Sequence, residues 1–205
     1  MKPPYIHYNT IHNTESATEV VPLIIKTLNP TSVIDVGCGT GDWLKVFHDL
    51  GISKIKGIDG RWLNKDKLKI PIANFEERDL TQVYKSDSVY DLAICLEVAE
   101  HLPEVTARSL VETLVGLSDT ILFSAAIPNQ GGQNHINEQW VDYWVQLFSE
   151  YSYHFQDSLR KHIWDDPNVF WWYKQNMYIV SSKGADQSRI DLKNAVHPEL
   201  FELKN

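Results

Sequence analysis

Residues 33–41 read V-I-D-V-G-C-G-T-G: an apolar strand that carries an acid, Asp35, and runs into glycines at 37, 39 and 41. Glycine at alternate positions lets backbone approach a ligand where any Cβ would collide with it. The spacing then separates two kinds of nucleoside site. A dinucleotide fingerprint is G-x-G-x-x-G, with a pyrophosphate on the helix N-terminus. Here the third glycine comes one residue early and an acid stands two residues before the first. A glycine-rich turn of purely structural purpose would give the same triplet, so the rest of the chain has to agree.

It repeats the pattern at regular intervals. A helix is expected from about Asp42 to Leu50, and then Lys54 to Gly60, K-I-K-G-I-D-G, forms a second short strand ending in Asp59. An acid at the tip of the second strand of a βαβ unit, about 20 residues beyond the glycines, is placed to accept hydrogen bonds from both ribose hydroxyls. Phe75 to Leu80, F-E-E-R-D-L, supplies a third strand end with Asp79, and Val89 to Leu96, V-Y-D-L-A-I-C-L, a fourth.

These four strand ends in order resemble the class I S-adenosylmethionine-dependent methyltransferases over residues 15 to 182, with 33–41 as their motif I. The resemblance implies an α/β fold, Rossmann-like and seven-stranded, with a mostly parallel sheet, an antiparallel last strand and helices on both faces. Carried residue by residue, it implies cofactor contacts at Asp35, Gly37, Cys38 and Gly39, at Asp59, Gly60 and Trp62 around ribose and adenine, at Asp79 and Leu80, and at Leu96 beneath the methionine part.

Bulk properties fit one enzyme domain. The chain has 205 residues, enough for one well-buried α/β core and short for two. No run of about 18 apolar residues suggests a membrane span, and M-K-P-P-Y-I-H-Y-N-T lacks the apolar core of a signal peptide, so a cytoplasmic location is expected. The two cysteines, Cys38 and Cys95, form no disulfide or zinc pattern and read as packing residues. A formal charge of -8, with basic residues scattered, argues against long nucleic acid as partner. A small-molecule or glycan acceptor, and a monomer or homodimer, are the expected partners.

Three segments follow: an N-terminal arm or lid at 1–13, the main domain at 14–183, and a C-terminal tail at 184–205 that reads as loosely held. Thr14 is the expected cap of a helix to Leu28 that Asn29-Pro30 stops, with Pro22 marking a kink or a late start. Pro103 opens a helix to about Gly116. Thr120 to Ala126 is the fifth strand, and Asn137 is the expected cap of a helix with Trp140, Tyr143, Trp144, Leu147 and Phe148 on its apolar side. Tyr151 to Phe155 and Gln175 to Ser182 read as the last two strands, an antiparallel pair. In the arm, His7, Tyr8 and His12 are candidates for closing over bound cofactor.

Chemistry is expected just after the fourth strand, where Glu97, Glu100 and His101 stand at relative positions 0, 3 and 4. On one helical turn this spacing places three side chains on one face. Two carboxylates and an imidazole suit a divalent cation, and His135 in G-G-Q-N-H-I-N-E-Q-W offers a fourth ligand. E-x-x-E-H followed by a later histidine resembles a subgroup that includes the methyltransferases of small-RNA 3′ ends and of ubiquinone biosynthesis. That resemblance implies Mg2+ or Mn2+ held by Glu97, Glu100, His101 and His135 and gripping a diol. Its physical logic is that an alcohol with a pKa of about 15 needs deprotonation, which coordination eases. Two other readings stay open: a metal-free general base, with Glu100, His101 and His135 as the catalytic groups, and a purely structural helix turn.

The block from Ile121 to Trp144, with Ile163-Trp164 and Phe170-Trp171-Trp172-Tyr173, resembles bacterial and viral methyltransferases found with genes of surface-polysaccharide synthesis. Asn134, Asn137, Glu138 and Gln139 supply donors and acceptors for a polyhydroxylated molecule. Trp140, Trp144 and Trp164 fit core packing equally well. On a strand Trp171 and Trp172 would point opposite ways, putting at least one towards the pocket. The function expected from all this is O-methylation of a sugar or glycan-related polar metabolite. A catalytically inactive binding module and a nicotinamide-dependent dehydrogenase are the competing readings. The first predicts lost cofactor residues and the second a different glycine spacing.

Overall fold

The structure, a computed structural model, describes residues 13–184, 189–190 and 195–204. The arm residues His7, Tyr8 and His12 lie outside the described residues. The chain begins with helix α1 (Glu15–Leu28), β1 (Ser32–Val36), α2 (Asp42–Asp49), β2 (Lys54–Asp59), β3 (Phe75–Glu77) and β4 (Leu92–Leu96). It continues with α3 (Ala107–Leu117), β5 (Thr120–Ser124), α4 (Val141–Ser149) and β6 (His154–Gln156). Then come α5 (Arg160–Ile163), α6 (Trp171–Asn176), β7 (Tyr178–Ser181) and α7 (Pro198–Lys204).

The strands form one seven-stranded sheet in the order β3-β2-β1-β4-β5-β7-β6. β1 pairs in parallel with both β2 and β4, and β5 in parallel with β4. β7 alone runs against its neighbours, antiparallel to β5 and to β6. Strand order reverses at β1, so its carboxyl end and that of β4 border the crevice where open α/β sheets bind ligands.

Both sheet faces are covered, so the central strands are apolar throughout rather than alternating. Val33 packs with α1 and α2 on one side while Ile34 and Val36 pack with α3 and α4 on the other. Leu92, Ile94 and Leu96 of β4 divide from Ala93 and Cys95 in the same way.

α1 passes through Pro22 without a break. Pro22 and Thr18 both lie on the exposed face, so the carbonyl that loses its partner remains open to water. Thr14 does not cap the helix with its side chain; Asn13 Oδ1 accepts the Glu15 N–H at 2.9 Å instead. Asn137 likewise is no cap of α4, which begins after Trp140; the Asn137 Oδ1 accepts from Gln139 Nε2 at 3.0 Å instead. Of the tryptophans read as core, Trp144 is buried and Trp140 is 45% exposed.

Residues 197–200 of the C-terminal segment pack onto the domain. His197 is buried, with Nε2 at 2.9 Å from the Trp164 carbonyl, and Glu199 pairs with Lys174 of α6 at 2.8 Å. The free energy for this docking comes from burying Leu200 and the His197 and Trp164 rings, 4.7 Å apart, as well as from the ion pair.

Candidate active site

The glycine turn is built on the end of β2. Gly37 and Cys38 donate their N–H groups to the Ile58 carbonyl at 2.8 and 3.1 Å, and Gly41 closes the turn onto the Cys38 carbonyl at 2.8 Å. Gly37 has φ +83 and a Cβ there would overlap the Val98 side chain, so both conformation and space demand glycine. Asp59 at the tip of β2 accepts from Gly39 N–H and Gly60 N–H, each at 2.6 Å. The Trp62 ring folds back onto Gly60, where a Cβ would collide with it.

These residues open onto a cavity of about 650 Å³. Asp35, Gly37, Cys38 and Gly39 line its floor, with Asp59 and Trp62 on one side. Leu80 and Leu96 also line it, followed by Glu97, Glu100, His101 and His135. The structure therefore brings the glycine turn and the E-x-x-E-H segment into one space. Two of the expected contacts stay outside it. Gly60 serves by holding Asp59, and Asp79 points to solvent, where its Oδ1 accepts from Thr81 N–H and Oγ1 at 3.0 and 2.7 Å. Thr81, not singled out from sequence, lines the cavity in its place.

Burial pushes the Asp35 carboxyl well above the usual carboxylate range, with the charges of Asp59 and Asp42 adding to the effect. Burial also raises Asp59, against the two backbone N–H groups that favour its charge. The folded chain thus holds the Asp35 proton to a higher pH than the unfolded chain, which ionises near pH ~3.9. Wild-type stability falls with rising pH over that interval, and an asparagine would escape the loss. Asp35→Asn is therefore expected to melt higher than wild type at about pH 8 without ligand, by ~2–4 °C per kcal/mol gained, with the advantage vanishing near pH 4. Thermal melts at the two pH values check it.

The E-x-x-E-H segment is not one helical turn. Glu97 adopts a left-handed backbone, φ 54, and only Ala99–His101 forms a single 3-10 turn. The cause lies in β5: Ser124 O and Oγ both accept the Glu97 N–H, at 3.1 and 3.0 Å, which carries the pairing past β4 before the chain reverses. The Glu97 carboxylate consequently turns sideways and accepts from Gln130 Nε2 at 2.8 Å and Asn176 Nδ2 at 3.1 Å. Burial pushes its carboxyl up to about 6, with those amide bonds opposing.

Glu100, His101 and His135 each offer one ligand atom, and these atoms all lie within 4.8 Å of one another. Glu97 is not in that set. His135 arrives because Ile136 and Asn137 donate their N–H groups to the Glu100 carbonyl, at 2.9 and 3.1 Å, and its ring meets His101 edge-on at 4.8 Å between centroids. Glu100 is fully buried. Neither of its carboxyl oxygens has a partner in hydrogen-bond geometry, although the Glu97 carboxyl and nearby backbone are close enough to act on it. Burial first, and the Glu97 charge second, raise its carboxyl well above the usual range. A buried carboxylate of this kind costs several kcal/mol unless a cation or a proton neutralises it. The three ligand atoms are of the type and spacing a divalent cation takes, and a proton on Glu100 would neutralise the carboxyl equally.

The far wall is aromatic. Trp171, Trp172 and Tyr173 line the cavity from the first turn of α6. They are helical rather than extended, and both tryptophans reach the cavity. Trp172 stacks on Phe170 at 4.5 Å, and Tyr173 meets Trp43 edge-on at 5.2 Å. Trp164 takes no part; it packs on His197. Sequence reasoning did not single out Gln130 and Asp42, which carry no motif of their own, nor Thr40 within the glycine stretch. Asp42 pairs with Lys69 at the start of α2, and among the described residues no lysine or arginine lines the cavity.

A search of curated protein sequences finds no match. Among solved structures, the methyltransferase domain of a bacterial Hen1, CtHen1, superimposes with a TM-score of 0.59 at 22% identity, over 82% of this chain and 98% of that one. CalS10, an amino pentose methyltransferase from Micromonospora echinaspora, gives 0.61 at 12% identity, over 83% and 91%. Magnesium protoporphyrin IX methyltransferase from Synechocystis PCC 6803 gives 0.57 at 18%, over 81% of each. At these identities the likeness is one of fold. The family described as Methyltransferase domain matches residues 10–163, most of the chain and all of the cavity floor from the glycine turn to His135, and the protein belongs to that family.

Proposed function

We propose that the protein transfers the sulfonium methyl group of S-adenosylmethionine to a hydroxyl of a sugar or glycan-related polar metabolite, with a divalent cation at Glu100, His101 and His135. The observation that carries the reading is the meeting of this triad with the glycine turn in one cavity. Asp59 faces that space with no lysine or arginine among the described lining residues, while Asp42 is paired with Lys69 and burial favours the neutral form of Asp35. Such a setting suits a cationic cofactor. It is poor for a pyrophosphate, which would find no lysine or arginine on the described cavity wall. Asp59, steadied by Gly39 and Gly60, has lone pairs left for two ribose hydroxyls, and Trp62 offers a face for the adenine ring.

A bound cation would supply Lewis-acid assistance to deprotonation of the acceptor hydroxyl. The chain's own contribution is to orient. Gln130 and Asn176 hold the Glu97 carboxyl at the junction of the two halves, and Trp171 and Trp172 give flat apolar faces for a sugar ring beside the amides of Gln133 and Asn134. Positioning of two reactants in this way accounts for most of the rate in an in-line displacement. A metal-free variant, in which His135 takes the hydroxyl proton directly, is favoured by one contact: His135 Nδ1 lies 2.9 Å from Glu138 Oε1, the arrangement of a carboxylate-supported base.

Radiolabelled methyl transfer from S-adenosylmethionine to a panel of neutral sugars with and without adjacent hydroxyls, in Mg2+ and in chelator, tests the proposal. Label on adjacent-hydroxyl sugars that requires Mg2+ is expected. Label independent of Mg2+ would replace the cation by a histidine base, and label on amines instead of hydroxyls would overturn the acceptor class.

A further inference from the structure

One carboxylate outside the cavity touches three parts of the loop that delivers His135. Glu138 Oε1 lies 2.9 Å from His135 Nδ1 and accepts the Gly131 N–H at 2.7 Å; its Oε2 accepts the Asn129 N–H at 2.7 Å. Partial burial works against its charge, yet the bonds from His135, Gly131 and Asn129 together hold its carboxyl below the usual range. The His135 ring is also fixed from the other side, since it lies over Gly132 so closely that a Cβ there would collide with Nε2.

We propose that Glu138 is a positioning residue that holds His135 in the form protonated at Nδ1, so that Nε2 keeps its lone pair for the triad with Glu100 and His101. The chemistry is general. A neutral imidazole carries one proton, and a carboxylate at hydrogen-bond distance from one nitrogen draws the proton there and leaves the other nitrogen as acceptor or ligand. Partners of this kind orient a ligating histidine, and their removal costs about 10–100-fold in metal affinity. The two N–H groups on the same carboxylate extend the effect: the 129–131 turn, which borders the cavity, is tied to the histidine it faces. The role rests on the proposed work of His135, but the tautomer itself is a property of the chain alone and can be read without substrate or metal.

The experiment uses full-length, 15N-labelled, chelator-treated protein at about pH 8, where an ordinary imidazole is neutral, with long-range proton–nitrogen spectra of the histidine rings. Wild type is expected to show the His135 proton on Nδ1, and Glu138→Ala a shift towards the Nε2-protonated form. In parallel Mn2+ titrations, Glu138→Ala is expected to bind about 10–100-fold more weakly and Glu138→Gln to fall between, with S-adenosylhomocysteine affinity within about twofold of wild type throughout. Should Glu138→Ala fail to fold, Glu138→Gln carries both comparisons. A wild-type His135 protonated on Nε2, or variants with unaltered tautomer and unaltered Mn2+ affinity, would overturn the proposal. Wild-type protein that shows the Nδ1 form and yet binds no Mn2+ would uphold the role of Glu138 while removing the cation from the proposed function.

Discussion

Asp59→Ala is expected to weaken S-adenosylhomocysteine binding by at least ~100-fold. A carboxylate that accepts from two ribose hydroxyls makes two charge-assisted bonds, each worth roughly 1.5–3 kcal/mol. Their loss, about 3 kcal/mol at the low end, already exceeds two decades of affinity. A second effect adds to it. Gly39 N–H and Gly60 N–H both donate to Asp59, so the variant also frees two amides that set the path of the glycine turn. Asp59→Asn, which keeps one acceptor oxygen, is expected to fall between. Calorimetric titration measures all three, and affinity in Asp59→Ala within a few-fold of wild type would remove Asp59 from the cofactor site.

The second large effect is expected from the triad. His101→Ala combined with His135→Ala should abolish methyl transfer, by ~10²–10⁴-fold on the scale of general acid–base catalysis, and abolish Mn2+ binding, while sparing S-adenosylhomocysteine. The separation follows from the geometry: both histidines stand on the side of the cavity reached by the 129–138 loop, and Asp59 and the glycine turn are held by backbone bonds that neither histidine touches. Glu100 stays buried in the double variant, and its carboxyl, raised by burial and by the Glu97 charge, is expected to keep its proton once the two histidines are gone rather than to hold a cation weakly. Retained turnover in the double variant would show that the chemistry lies elsewhere in the cavity.

Features governed by local spacing are legible in the sequence. The position of Asp59 at the tip of β2 was legible because the βαβ unit fixes where the second strand ends relative to the glycines, and the alternation of apolar strands with helices carried the fold. Asp79 misled because an aspartate two residues before a threonine also makes a local turn, and that bond to Thr81 won. Glu97 misled because relative positions 0, 3 and 4 point one way only on a regular helix, whereas the bond from its N–H to Ser124 on the neighbouring strand forces a left-handed residue there. No local pattern announces the partners that then receive its carboxylate. Gln130 and Asn176 stand 33 and 79 residues away, on a loop and at the end of α6. Local spacing predicts no helix over Trp171 and Trp172; tertiary packing, with α7 and Lys174–Glu199 behind them, goes with the helix there. The same docking of α7 explains why a tail of ordinary composition is held.

The proposed function places S-adenosylmethionine at the glycine turn and a divalent cation at Glu100, His101 and His135 in one cavity. Its most direct test is a calorimetric titration of chelator-treated protein, first with S-adenosylhomocysteine and then with Mn2+, repeated on a Glu100→Ala, His135→Ala double variant. One cofactor site is expected in both proteins, and one Mn2+ site in wild type that the variant lacks. Absence of cofactor binding, or Mn2+ binding that the variant retains unchanged, would contradict the proposed function.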